Sequence, residues 1–294
     1  GRLAEAETAL QDALRVAEPI APALVPDLLH SRALIELERG QRAAAERRLE
    51  RAVAMKRQLQ ETAPAGAVVN SMGQLGLLRY YDGHFTAAAQ VLDEARALSE
   101  RRLGADHVQT AVFLNYQGLV RLAEHDASAA EALARRALTI ELAALPAGHR
   151  RIVGTRRLLA ESLLELNRPD DAAAVLQDSI GEEWAPGRAD WLTEALLART
   201  WSAQGQVRRA LDLINTVQAH FEADGDLSRW YHISGGSEIR IVRSRILARL
   251  GRTDDARADL QWVVAQAEPV FGAEGKVVVD ARDALASLPP IDAR

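Results

Sequence analysis

The stretch LGLLRYYDGHFTAAAQVL, residues 75–92, carries small residues at fixed distances. Gly76 lies twelve positions before Ala88, Gly83 lies five before it, and Leu92 lies four after it. The same spacing recurs along the chain. One column of small residues holds Ala33, Gly76, Gly118, Ala160, Ala198 and Ser244. Twelve positions later comes a column of alanines, Ala45, Ala88, Ala130, Ala172, Ala210 and Ala256. A third column, four further on, holds Leu49, Leu92, Ala134, Leu176, Ile214 and Leu260. Successive alanines are 43, 42, 42, 38 and 46 residues apart. Six copies of three aligned columns make a repeat protein.

Helix packing explains the columns. A small residue on each of two antiparallel helices lets their axes approach, and the large residue fills the adjoining groove. Gly76 and Gly118 would each cost about 1 kcal/mol against Ala inside a helix, so close packing is the reason to keep them. Gly40, Gly83, Gly205 and Gly251 stand at the turn within each pair, where a positive φ costs Gly nothing. His125 and Asn167 take that place in the other two copies.

Composition agrees. The chain has 294 residues, 48% hydrophobic and only 4% aromatic, its apolar content mostly Ala, Leu and Val. Ala and Leu head the helix scale, while strands draw on β-branched and aromatic residues, so the expected fold class is all-α. A net charge of −5 argues against a partner recognised by its phosphate backbone, so no nucleic acid is expected. No apolar run is long enough to span a bilayer, so no membrane partner is expected either. The absence of cysteine excludes disulfides and thiolate metal sites. With no signal-peptide pattern, the expected location is the cytoplasm. Basic residues are nearly all Arg, with Lys56 and Lys276 the only lysines, a bias that fits a GC-rich bacterial genome. The chain starts without Met inside an apparent helix, which is expected of a fragment of a larger protein.

Two corners between pairs contain histidine: RRLGADHVQTA, residues 101–111, and AALPAGHRRIV, residues 143–153. Gly104 is expected to end a helix in the left-handed conformation, and Asp106 with Gln109 to form a capping box. Neighbouring repeats would hold His107 and His149 roughly 10 Å apart, too far to share a metal ion. They read as a recurring corner, and no metal or other cofactor is expected.

The columns resemble the tetratricopeptide repeat family, and the long spacing resembles its extended, kinesin-light-chain-type form. Gly104, Asp106 and His107 match that form's Gly-x-Asp-His-Pro linker, while Val108 replaces its Pro. The resemblance covers residues 22–268 as six helix pairs, with residues 1–18 as the end of a truncated leading repeat and 275–287 as a terminal helix. It implies a right-handed superhelical solenoid whose first helices line a concave groove. The inward places it implies include Asn70, Tyr80, Tyr81, Asn115, Arg157, Arg199, Arg245 and Arg249. Amides and aromatics then occupy the N-terminal half of the groove and guanidinium groups the C-terminal half. Asn115 within a helix reads either as a partner for a peptide backbone or as a solvated polar residue.

The function implied is a non-catalytic scaffold for a protein or peptide, attached to a signalling or regulatory domain. Clustered arginines point to an acidic segment or a free C-terminus as ligand, and self-association stays open. A peptide-gated sensor is the alternative within the same class. An enzyme is the alternative from another class, and no His-Glu-x-x-His, phosphate-cradling Gly-Lys loop or Gly-x-Ser-x-Gly supports it. The segment WYHISGGSEIR, residues 230–240, is expected to be a connection, and FEADGDLS, residues 221–228, a solvated turn. Trp184, Trp191, Trp201 and Trp230 read either as filler where the repeat spacing is irregular or as anchors for a partner.

Overall fold

The computed structural model describes residues 2–58, 65–180, 190–223 and 229–290. Fourteen α-helices occupy them: α1 Arg2–Ile20, α2 Val25–Glu38, α3 Arg42–Gln58, α4 Ala65–Tyr81, α5 Phe85–Leu103, α6 Val108–Ala123, α7 Ala127–Ala144, α8 Arg150–Glu165, α9 Pro169–Ile180, α10 Trp191–Ala203, α11 Val207–Ala223, α12 Arg229–Arg249, α13 Thr253–Phe271 and α14 Lys276–Ser287. Each helix packs on the next in sequence, and every second helix from α4 onward also touches its counterpart in the following pair. The result is an all-α solenoid of six helix pairs, α2–α3 to α12–α13, flanked by α1 and α14.

The three columns lie at the helix crossings. Ala33, Ala45, Ala88, Ala130, Ala160, Ala172, Ala198, Ala210 and Ala256 are wholly buried, as are Leu49, Leu92, Leu176 and Ile214. A Cβ on Gly76 would lie 2.5 Å from Leu92 Cδ2, so the first column of the second repeat seats directly on its third column. In the third repeat the large place holds Ala134, and a Cβ on Gly118 would instead meet Leu158 Cδ2, from α8, at 2.6 Å. The next repeat thus fills the groove that its predecessor leaves.

The turns within pairs are built alike. Gly40, Gly83, Gly205 and Gly251 have φ between 74° and 85°, and His125 and Asn167 adopt 64° and 56° at the same place. Asn tolerates this region because its short polar side chain can bond locally. For His125 the structure offers no comparable reason. The starts of α9 and α13 carry Asp170, Asp171 and Asp254, Asp255, where carboxylates complement the helix dipole.

The histidine corners differ from expectation in detail. Gly104 has φ 109° and ψ 154°, an extended region open to Gly but outside the left-handed helical one. The N-cap of α6 is His107 itself, not Asp106: the Gln109 N–H donates to its Nδ1 at 3.1 Å. His149 caps α8 likewise, accepting from the Arg151 N–H at 3.2 Å. An imidazole nitrogen replaces the usual Ser or Asp oxygen, which is why both corners carry His. His107→Ala should therefore destabilise the protein by about 0.5–2 kcal/mol. A chelator should leave the thermal transition of the parent unchanged, and a chelator-induced drop as large as the mutation's would refute the capping role.

Residues 230–240 are helical, inside α12, rather than a connection. Their glycines make room for aromatic side chains: a Cβ on Gly235 would lie 2.5 Å from Trp191 and 2.8 Å from Phe221. Gly236 sits beneath Phe221 and Trp262. Residues 224–228 of the acidic stretch, and Trp184, lie outside the described residues, as does the side chain of Trp230.

Candidate functional site

The helices that open each pair touch one another along one side of the solenoid, α4 to α6, α6 to α8, α8 to α10, α10 to α12 and α12 to α14. That inner layer carries the residues singled out from the sequence, and most of them tie one inner helix to the next. Gln109 Nε2 donates to Asn70 Oδ1 at 3.1 Å, joining α6 to α4. Asn115 Nδ2 donates to Thr155 Oγ1 at 3.1 Å, joining α6 to α8. Arg157 pairs with Asp190, which also caps α10 by accepting from the Thr193 N–H at 3.3 Å. Arg199 reaches back from α10 to α8, bonded to Glu165 and 3.5 Å from Glu161. Arg249 donates to the carbonyl and hydroxyl oxygens of Ser202, joining α12 to α10. The partners lie about one repeat apart in sequence, so inspection of a single helix does not find them.

Arg245 is the exception. It forms no hydrogen bond or ion pair among the described residues, although its side chain faces solvent on the inner layer. Desolvation by the surrounding protein lowers its pKa first, and the nearby Arg199 guanidinium lowers it further. Asp280, Glu165 and Glu161 act in the opposite sense. The guanidinium thus stands beside a like charge without a direct counter-ion among the described residues.

Next to this patch lies a second cluster, only one member of which, Glu161, falls among the inward places named from the sequence. Glu238 of α12, Glu161 of α8 and Asp280 of α14 converge with Lys276, whose ammonium pairs with Asp280. Burial, then the Glu161 charge, pushes Glu238 up to about 7, against the pull of Lys276 and Arg157. For Lys276 burial opposes the charge, but Asp280 and the two glutamates together raise its pKa. Tyr80 is only 8% exposed and meets Tyr81 edge to face at 5.2 Å. Its pKa stands well above the ordinary value, through burial first and then Glu161. Glu161 follows Ala160 directly, at an inward place of the family's register, and Glu238 stands six before Ser244 as Asn70 stands six before Gly76, whereas Lys276 and Asp280 lie on a terminal helix with no repeat partner to mark them.

Elsewhere, one group has the elements of a nucleophilic site. Lys56 Nζ lies 2.9 Å from Ser71 Oγ, and His30 Nδ1 lies 3.0 Å from the same oxygen. Lys56 also pairs with Asp27 at 2.7 Å. Ser71 is wholly buried, and no substrate can reach its hydroxyl in this conformation. Burial, then Lys56, lowers the pKa of His30, and the contacts among these residues tie α2, α3 and α4 together. Among the described residues no group of three His, Asp or Glu is placed to hold a metal ion. No described helix is long and apolar enough to cross a membrane.

The tryptophans whose side chains are described are half-buried and pack against the core from its edge. Trp191 meets Phe221 at 5.0 Å, and the guanidinium groups of Arg209 and Arg240 cover Trp201 and Trp262 at 3.6 and 3.9 Å.

Comparison with known proteins agrees with this architecture. The tetratricopeptide repeat family model matches residues 68–109, the span of α4, α5 and the corner after them. A tetratricopeptide repeat protein from Parabacteroides merdae ATCC 43184 has a similar structure, with TM-score 0.59 and 18% identity, over 94% of this chain and 92% of that one. NprR in complex with its cognate peptide NprX aligns with TM-score 0.59 and 14% identity, over 98% of this chain and 84% of its own. A Rap protein complexed with competence and sporulation factor aligns with TM-score 0.58 and 14% identity, over 97% and 87%. No curated protein matches the sequence. The chain has the tetratricopeptide-repeat-like fold.

Proposed function

We propose that the chain is a non-catalytic scaffold that binds a peptide or protein segment on its inner layer, with a carboxylate of that segment at Arg245. Arg245 carries the reading: it is an inward guanidinium without a direct counter-ion among the described residues, next to Arg199. Guanidinium groups bind carboxylates bidentately and are less strongly hydrated than ammonium groups, which favours such a site. The peptide held by NprR, on the same fold, supports a segment of this kind as ligand. An acidic segment or a free C-terminus supplies the carboxylate, and Tyr81, half-buried beside Tyr80, offers an apolar contact. We place this scaffold in the cytoplasm, joined to a signalling or regulatory domain.

The test uses a fluorescein-labelled peptide rich in Asp and Glu with a free C-terminal carboxylate. Arg245→Ala should weaken binding by about tenfold or more, the equivalent of a charge-assisted hydrogen bond of ~1.5–3 kcal/mol. Binding should also weaken with salt as exposed charges are screened. The helical circular dichroism should not change. Equal affinity of parent and variant for a peptide that binds would place recognition on another surface.

A further inference from the structure

The two ends of the solenoid meet. Helix α2 touches α12, and α4 touches α14. The corner between α13 and α14 docks on the turns of the first two repeats: the Glu274 carbonyl lies only 2.0 Å from where a Cβ on Gly83 would be. Beside it the Arg42 guanidinium stands 4.9 Å above the Phe271 ring, and Arg42 is itself held by Asp82 and by the Leu78 carbonyl at 3.3 Å. Arg42 and Phe271 are 7% and 6% exposed, so this contact is sealed from water. Just behind it Lys276 enters the cluster of Glu161, Glu238 and Asp280.

We infer that the α13–α14 corner is a clasp, seated by Glu274 on Gly83 and by Phe271 under Arg42 with the Lys276 charge balancing the carboxylates of the inner layer, and that its opening and closing controls access to that layer. Such a contact is suited to opening. It joins elements more than 180 residues apart in sequence, whereas each repeat is otherwise stabilised by its immediate neighbours, so the ends can part without unfolding any pair. That the clasp governs access rests on the inner layer being the binding surface; that it opens does not.

Proton binding bears on the same contact. Groups facing Glu238 are Tyr80 from α4, Arg157 and Glu161 from α8, and Lys276 and Asp280 from α14. On neighbouring helices Arg199 is bonded to Glu165, Glu222 to Arg240 and Asp259 to Arg243, and His30 of α2 to Ser71. A Glu238 pKa of about 7 in the closed form stands above the ordinary 4.5. Closure then has its full proton-linked stabilisation below about pH 4.5 and loses it as pH rises through about 7. Lys276→Glu acts in the same direction, replacing the positive charge of the cluster with a negative one.

The experiment uses the full chain, which has no cysteine of its own. Spin labels on cysteines replacing the exposed His84 and Glu274 report the clasp, and small-angle scattering reports the overall dimensions. The expected result is strong dipolar broadening at pH 6 that declines by pH 8. Lys276→Glu should lose the broadening and raise the radius of gyration, with helical content retained, while Lys276→Arg should behave as the parent. Unchanged broadening across the pH range and in Lys276→Glu would overturn the clasp. The pH series needs no charge variant, so it decides the matter even if Lys276→Glu misfolds. With the same acidic peptide, opening should raise affinity by about tenfold or more if the closed form dominates. Opening with unchanged affinity would overturn control of access alone. Opening with no peptide bound by either form, at peptide concentrations up to the millimolar range, would count against the binding proposal while the clasp stands.

Discussion

Arg243→Ala is expected to lower stability by about 3–5 kcal/mol, the usual cost of removing one partner from a buried ion pair. Arg243 Nε lies 2.7 Å from Asp259 Oδ2, and its Nη2 lies 2.5 Å from Oδ1, a two-pronged contact between α12 and α13. The Asp259 side chain is 5% exposed and that of Arg243 24%, so truncating the arginine strands a carboxylate away from water. Arg240 remains at 4.0 Å, too distant for a hydrogen bond. The exposed pair Arg15–Asp12, with side chains 79% and 61% exposed, should contribute no more than ~1 kcal/mol by the same measurement. Because stability in a solenoid is summed over neighbouring repeats, the loss should be local. Hydrogen exchange should quicken in α12 and α13 and stay as it is in α6 and α7. A uniform change along the chain, or a loss under ~1 kcal/mol in urea denaturation, would contradict this account.

Gly76→Ala should cost ~1–3 kcal/mol even though Ala is the better helix former by about 1 kcal/mol. The new methyl would lie 2.5 Å from Leu92 Cδ2 and 2.6 Å from Leu92 Cγ, the body of a fully buried side chain with nowhere to turn. Leu92→Ala in the same chain should recover part of that loss, and a double-mutant cycle should show the coupling. Gly118→Ala has the same chemistry with a different outcome. Its methyl overlaps the far end of Leu158, with Cδ2 at 2.6 Å and Cγ at 3.5 Å, and is in ordinary contact with the Ala130 carbonyl at 3.6 Å. Leu158 is buried as well, but only its terminal methyl must shift, and the gain in helix propensity offsets part of the cost, so the loss should be smaller than for Gly76→Ala. Equal destabilisation by the two substitutions would mean that the column acts through backbone conformation rather than through the contact.

Helices, pairing and crossing points were legible in the sequence because they repeat. The spacing between Gly76, Gly83, Ala88 and Leu92 is a local property, set by 3.6 residues per turn and by the need for axes to approach. The turn glycines read correctly for the same reason, since φ depends on the residue and its immediate neighbours. Failures began where one copy departs from the others. Residues 230–240 read as a connection because two glycines interrupt the helical pattern, and only the aromatic rings of Trp191, Phe221 and Trp262, brought from elsewhere, show why a helix needs them there. His107 was placed at a corner rather than as the cap, since the choice between Asp106 and His107 turns on one dihedral angle.

The inner-layer residues show the same division. The family resemblance implied that Asn70, Asn115, Arg157, Arg199 and Arg249 share one side of the solenoid, but what each of them touches lies about a repeat away and belongs to tertiary structure. Asn115 meets Thr155, and Arg199 meets Glu165, across an interface whose register no single helix encodes. The meeting of the ends is further removed still. A small rotation per repeat, summed over six pairs, brings Glu274 onto Gly83 and Lys276 among three carboxylates. The sequence alone determined the unit and its repetition, because those follow from short-range packing. The pairing of the charges and the closure of the superhelix were decided only by the accumulated geometry of the stack.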